Sequence, residues 1–250
     1  MIVDPAVLEP VADRAWPARE QVRMGGWRLN ATDGWSMRTN ACWTLSDPGG
    51  DPEAALDAVE AWYRARGLPP RFKLTDGATG PRDLPDRLTR RGYAATKATL
   101  VMVGPAEGRP DPDVQLSRQP DARFEAVFTA SAGGNRDDAR ERLETLARIP
   151  APARFGGLLV AGETAALGAC AVESAWVGLF GMRTLADHRR KGLARRILGA
   201  LLAEASGLGA RQAYLQVEAD NASAIALYQA AGFATAYRYH YWVAGSPSSA

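Results

Sequence analysis

Arg189-Arg190-Lys191-Gly192-Leu193-Ala194 opens a run rich in alanine and leucine. Leu193, Ile197 and Leu201 recur at helical spacing, with Ala194, Leu198 and Leu202 beside them, so the run predicts a helix over about 190–206. Arg189, Arg190, Lys191 and Arg195 place four cations within seven residues at its start. The first turn of a helix leaves backbone N–H groups without intrahelical partners, and the macrodipole makes that end partly positive. Cations there oppose the dipole unless an anion compensates, and Gly192 lets a ligand approach the main chain closely. Amides, dipole and cations together describe a seat for a pyrophosphate.

Outward from this turn, strands are predicted at Trp176–Thr184 before the helix and Ala213–Glu218 after it, then a helix over 222–231 and a strand at Ala234–Val243. Upstream, Val114–Arg118, Phe155–Val160 and Ala165–Glu173 read as strands, and 121–131 and 136–148 as helices. The stretch 105–113 is rich in Pro, Gly and charge and reads as a linker between two halves, 1–104 and 114–250. In the first half, helices are predicted near 5–20, 52–66 and 83–91, with strands at Phe72–Leu74 and Tyr93–Val103. A hairpin of Trp27–Thr32 and Trp35–Leu45 would turn at Asp33-Gly34. Gly92-Tyr93 and Gly232-Phe233 occupy corresponding places, which suggests a repeat. The loop Ser46–Glu53 of the first half is acidic and would repel a pyrophosphate, so only the second half keeps an anion seat.

Arg189, Gly192 and Ala194 match the pattern Arg/Gln-x-x-Gly-x-Gly/Ala, and Asn221 to Phe233 reads Asn-x-x-Ala-x-x-Leu-Tyr-x-x-x-Gly-Phe. On these two motifs, in order and separated by a strand, residues 114–243 resemble the GCN5-related N-acetyltransferase superfamily. The resemblance implies a mixed α/β GNAT fold with splayed central strands, the first half being a degenerate GNAT-like domain. It implies acetyl-CoA as cosubstrate. The main chain of Met182, Arg183 and Thr184 would bind the pantetheine arm as an added strand. The 189–195 turn (Arg189, Arg190, Lys191, Gly192, Leu193, Ala194, Arg195) would hold the pyrophosphate. Thr184-Leu185-Ala186 stands where many relatives carry Val-x-Pro. Tyr228 matches the tyrosine that protonates the departing thiolate, against a reading as a core residue. Asn221 is open between a cofactor contact and an ordinary N-cap. Sequence defines no general base; Glu173 and Glu218, at strand ends, are the candidates. By the resemblance the acceptor side would involve Phe124, Phe128, Trp176 and the Gly133-Gly134-Asn135-Arg136 loop, although the i, i+4 spacing of Phe124 and Phe128 reads better as core and the Gly133-Gly134-Asn135 loop better as a lid.

The expected activity is direct acetyl transfer from CoA to a primary amine on a small molecule or peptide; a CoA-binding sensor without turnover is the rival. Acids and bases balance to a net +2 over 250 residues, which disfavours a nucleic-acid surface. No apolar run approaches a membrane span, so a cytoplasmic protein without membrane contact is expected. Cys42 and Cys170 lie in apolar strand-like segments and read as buried hydrophobes. With two histidines, no metal site is expected. The first half would scaffold the acceptor groove or mediate homodimerisation.

Overall fold

In the computed structural model, residues 3–131 and 133–245 are described. The chain runs α1 (Pro5–Arg14), β1 (Glu20–Met24), β2 (Trp27–Ala31), β3 (Cys42–Trp43), α2 (Pro52–Arg64), β4 (Arg71–Thr75), α3 (Leu84–Arg90), β5 (Tyr93–Ala95) and β6 (Thr99–Pro105). It continues with β7 (Val114–Ser117), α4 (Ala122–Ala130), α5 (Arg136–Ala147), β8 (Ala153–Val160), β9 (Glu163–Glu173) and β10 (Trp176–Thr184). Then follow α6 (Leu193–Gly207), β11 (Gln212–Glu218), α7 (Ala222–Ala230) and β12 (Ala234–Ala244). The fold is mixed α/β, as the sequence pattern implies.

Two compact units divide the chain without following its order. Unit one holds Pro10–Pro17 and Val101–Ala236; unit two holds residues 3–9, Ala18–Leu100 and 237–245. In unit one the strands lie in the order β6-β11-β10-β9-β8-β7. Ala161 and Gly162 both have positive φ, the two-residue turn that matches strand twist, and they join β8 to β9 as an antiparallel pair. The α6 crossover makes β10 and β11 parallel. Ile197, Leu198, Leu201 and Leu202 of α6 are buried, and Ile197 and Leu201 reach the sheet beside Gly168. The 105–113 stretch is strapped onto α6. Gly108 lies so close to Gly199 and Ala203 that a side chain would collide with the helix backbone. Arg196 then grips Asp111 at 2.6 and 2.7 Å and Asp113 at 2.5 Å.

Unit two orders its strands β1-β2-β3-β4-β12, with β5 on the other edge of β12. Trp27, Leu29, Leu56, Val59, Tyr63, Phe72, Leu84 and Leu88 form its core. Beneath the sheet, Lys73 forms a fully buried ion pair with Glu9, whose other oxygen accepts the Tyr237 hydroxyl at 2.9 Å. The Lys73 ammonium also lies 3.6 Å from the Trp43 ring centroid and 4.0 Å from that of Tyr239.

Four boundaries differ from expectation. The hairpin is Glu20–Met24 with Trp27–Ala31, turning at Gly25-Gly26, and not at Asp33-Gly34. There the Asn40 carboxamide accepts from Thr32 N (2.7 Å) and Gly34 N (3.0 Å), and this side-chain clasp folds 33–40 into a loop with a short 3-10 turn. The first helix stops at Arg14, because Trp16 precedes Pro17 and is steered away from helical geometry. The long strand from Tyr93 breaks into β5 and β6. Helix α6 begins at Leu193, since Arg190 (φ +60°) and Gly192 (φ +77°) are both left-handed.

Candidate active site

The site is built around a parting of two strands in unit one. β10 and β11 pair through Trp176↔Gln212, Val177↔Ala213 and Gly178↔Tyr214, and no further, although β10 continues to Thr184 and β11 to Glu218. On its other side β10 pairs with β9, with a register shift between Phe180 and Arg183. Gly181 sits inside that shift with φ +60°, a conformation other residues resist. The main chain from Leu179 to Thr184 therefore presents groups toward the gap that no strand of unit one takes up from the β11 side.

Alternation along β10 then separates two environments. Met182 turns toward Gly168 and the α6 side. Arg183 turns the other way, its guanidinium carbon 5.1 Å from the Phe128 ring centroid on α4. Its Nη1 donates to Met182 O at 3.3 Å, while its Nε is buried with no partner among the described residues. Burial, and then the neighbouring Arg142, pull its pKa below the usual guanidinium value, with Asp138 and Tyr228 opposing them. Arg142 is itself held by both Asp138 oxygens at 2.9 Å.

Tyr228 lies on α7, buried beside Phe233 with ring centroids 6.1 Å apart. Its hydroxyl has no hydrogen-bond partner among the described residues. Burial pushes the phenol up to about 12, and the Arg183 charge pulls weakly the other way. A phenol in that state holds its proton at neutral pH and can give it up only to a strong base nearby.

At the head of α6, Gly192 supplies no side-chain cap, so the first amides of the helix stay open. Arg189, Arg190, Lys191 and Arg195 are exposed around it, and the last three make no ion pair among the described residues. The Arg189 Nε donates to Thr184 O at 3.4 Å. In unit two the turn ahead of α2 is closed: the Asp51 carboxylate caps α2 by accepting from Glu53 N and Ala54 N. Asn221 accepts from Ala224 N at 3.1 Å, so its N-cap role is realised.

The two carboxylates differ. Glu173 stands opposite Trp176, on the paired side of the parting, and Arg14 holds it at 2.5 and 2.8 Å. Its carboxylate is thus engaged by a guanidinium at the paired end of β10. Glu218 is exposed at the end of β11, four residues beyond Tyr214. Phe124 and Phe128 are buried and stacked with centroids 6.2 Å apart, Asn135 caps α5 through Asp138 N, and Trp176 sits at the paired start of β10. Gly133 and Gly134 are exposed with positive φ; Ala132 of that loop lies outside the described residues. Neither the Arg14–Glu173 contact nor the Arg183 side-chain environment has a local signature in the sequence. Gly181 inside an apolar strand was the available clue to the register shift.

A family profile described as "Probable histone acetyltransferase Rv0428c C-terminal" matches residues 6–242. The chain belongs to this acetyltransferase family. Membership makes it an acyltransferase. It is also similar to the "Uncharacterized N-acetyltransferase YobR" of Bacillus subtilis, 27% identical over 242 residues that cover 94% of this chain and 96% of that protein. Among solved structures, a GCN5-related N-acetyltransferase from Kribbella flavida superposes with a TM-score of 0.72 at 17% identity, covering 98% and 97% of the two chains. A tandem GNAT protein from the clavulanic acid biosynthesis pathway gives 0.59 at 12% identity, covering 78% and 70%. These structural likenesses establish the GNAT fold. No helix among the described residues is long and apolar enough to cross a membrane.

Proposed function

We propose that the protein transfers an acetyl group directly from acetyl-CoA to a primary amine. The observation that carries this is the parting of β10 and β11 after Gly178 and Tyr214, with open amides and free cations of the Gly192 turn at the far end of β10. A pantetheine arm would pair with the main chain of Met182–Thr184, its pyrophosphate held by residues 189–195. The thioester carbonyl would then lie near the irregular Phe180–Arg183 backbone, whose N–H groups can stabilise the tetrahedral oxyanion. Tyr228 gives the leaving thiolate a proton, and Glu218 accepts the amine proton through water. Asn221, besides capping α7, borders the arm. Burial pushes the Cys170 thiol up to about 12 and raises the Cys42 thiol well above its usual value, so neither is available as a thiolate for a covalent route.

The first half is proposed to descend from the same fold. Unit two repeats the plan of an antiparallel hairpin (β1-β2), then β3 parallel to β4 across α2. Its acidic, self-capped α2 turn offers no anion seat, so we read unit two as an idle repeat and unit one as the active one. We place the enzyme in the cytoplasm, acting on a small-molecule or peptide amine, with homodimerisation through the first half.

Mixing the protein with acetyl-CoA and a panel of amines while following free thiol tests this reading. Amine-dependent thiol release is expected. Tight CoA binding without release on any amine would favour the idle sensor.

A further inference from the structure

Arg183 of β10 faces Phe128 on α4 and makes no ion pair among the described residues. Arg183 rests on Phe128, beside Arg142, Asp138 and the Tyr228 phenol. Both Asp138 oxygens accept from Arg142 Nε, so Arg183 forms no ion pair of its own among the described residues. Among the described residues its hydrogen bonding is also incomplete: Nη1 reaches the neighbouring Met182 carbonyl, and Nε is buried without a partner. A half-buried guanidinium with unmade hydrogen bonds is costly unless something anionic completes it. The planar fork of arginine matches carboxylate and phosphate oxygens, and stacking on an aromatic face fixes its orientation. Met182, one residue earlier, faces the α6 side. Arg183 therefore lies on the opposite face of β10 from the one that packs on α6.

We propose that Arg183 is the specificity-determining residue of the acceptor pocket, and that the acceptor amine carries an anionic oxygen group, a carboxylate or a phosphate. This rests on the acetyl-transfer reading above. It also implies that a lysine-rich peptide, with cations around its amine, is a poor acceptor. Phe128 and the Arg142–Asp138 pair act as positioning residues, holding the guanidinium plane.

The test compares matched acceptors with acetyl-CoA: amino acids against their amides, and O-phosphoethanolamine against ethanolamine, with a lysine-rich peptide as a further arm. The anionic member of at least one pair should show kcat/KM about tenfold or more above its neutral partner, and the pair that does so identifies carboxylate or phosphate. In Arg183→Met, which keeps an unbranched chain on Phe128, that ratio should fall toward one; Arg183→Lys should restore part of it. Equal rates on charged and neutral members in the wild-type protein would overturn the proposal, as would a ratio unchanged in Arg183→Met or a preference for the lysine-rich peptide. Loss of acetyl-CoA binding by the wild-type protein would instead sink the acetyl-transfer reading itself.

Discussion

Gly178 and Tyr214 are the last residues to pair between β10 and β11, and the Tyr214 hydroxyl lies 2.5 Å from where a Cβ on residue 178 would stand. The Phe180 ring crowds the same point. Phe180 in turn lies 5.3 Å from the Trp16 ring and 6.2 Å from that of Tyr214, so an aromatic cluster sits where the strands diverge. A glycine at 178 is what allows the rings to lie across the strand.

Gly178→Val should push these rings aside and destabilise the protein by about 1–3 kcal/mol, the usual cost of overpacking. Acetyl-CoA affinity should fall with it, because the displaced rings border the gap. Thermal melting and calorimetry on the same variant measure both. Wild-type stability with wild-type affinity would show that the parting does not depend on this contact.

Tyr228→Phe removes a hydroxyl that acts late in the reaction. It should lower kcat roughly a hundredfold, within the range for a positioned acid, while acetyl-CoA affinity changes little. Because burial pushes the phenol up to about 12, wild-type kcat should show no decline from this group between about pH 8 and 10. A kcat unaffected by the substitution would make Tyr228 a packing residue.

Much of this site is legible in the sequence, and the reason is local. Gly192, the basic residues around it and the leucine periodicity of 193–202 specify a turn and a helix through near-neighbour chemistry, and the structure agrees. The apolar run Trp176–Thr184 likewise specifies a strand with the observed bounds. The Asp33-Gly34 hairpin fails because a side chain seven residues on, Asn40, takes the amides a ladder would have used. Arg14 and Glu173 are 159 residues apart and meet only through the tertiary fold, so no spacing rule could join them. The Arg183 environment is hidden for the same reason, since Phe128 and Asp138 come from other elements.

The buried Lys73–Glu9 pair of unit two gives a test of stability apart from the site. Lys73→Met alone strands a carboxylate away from water and should cost about 3–5 kcal/mol. Replacing both, Lys73→Met with Glu9→Leu, should recover most of that loss. Denaturant unfolding of the two variants reads the difference; equal losses would show that burial of charge is not what the pair balances.

Titration of the whole protein with coenzyme A by calorimetry tests the central claim most directly. A single CoA per chain should bind, with affinity reduced more than about tenfold by Gly192→Glu, whose carboxylate would face the phosphates. No heat with CoA or acetyl-CoA, or an affinity indifferent to Gly192→Glu, would contradict the account.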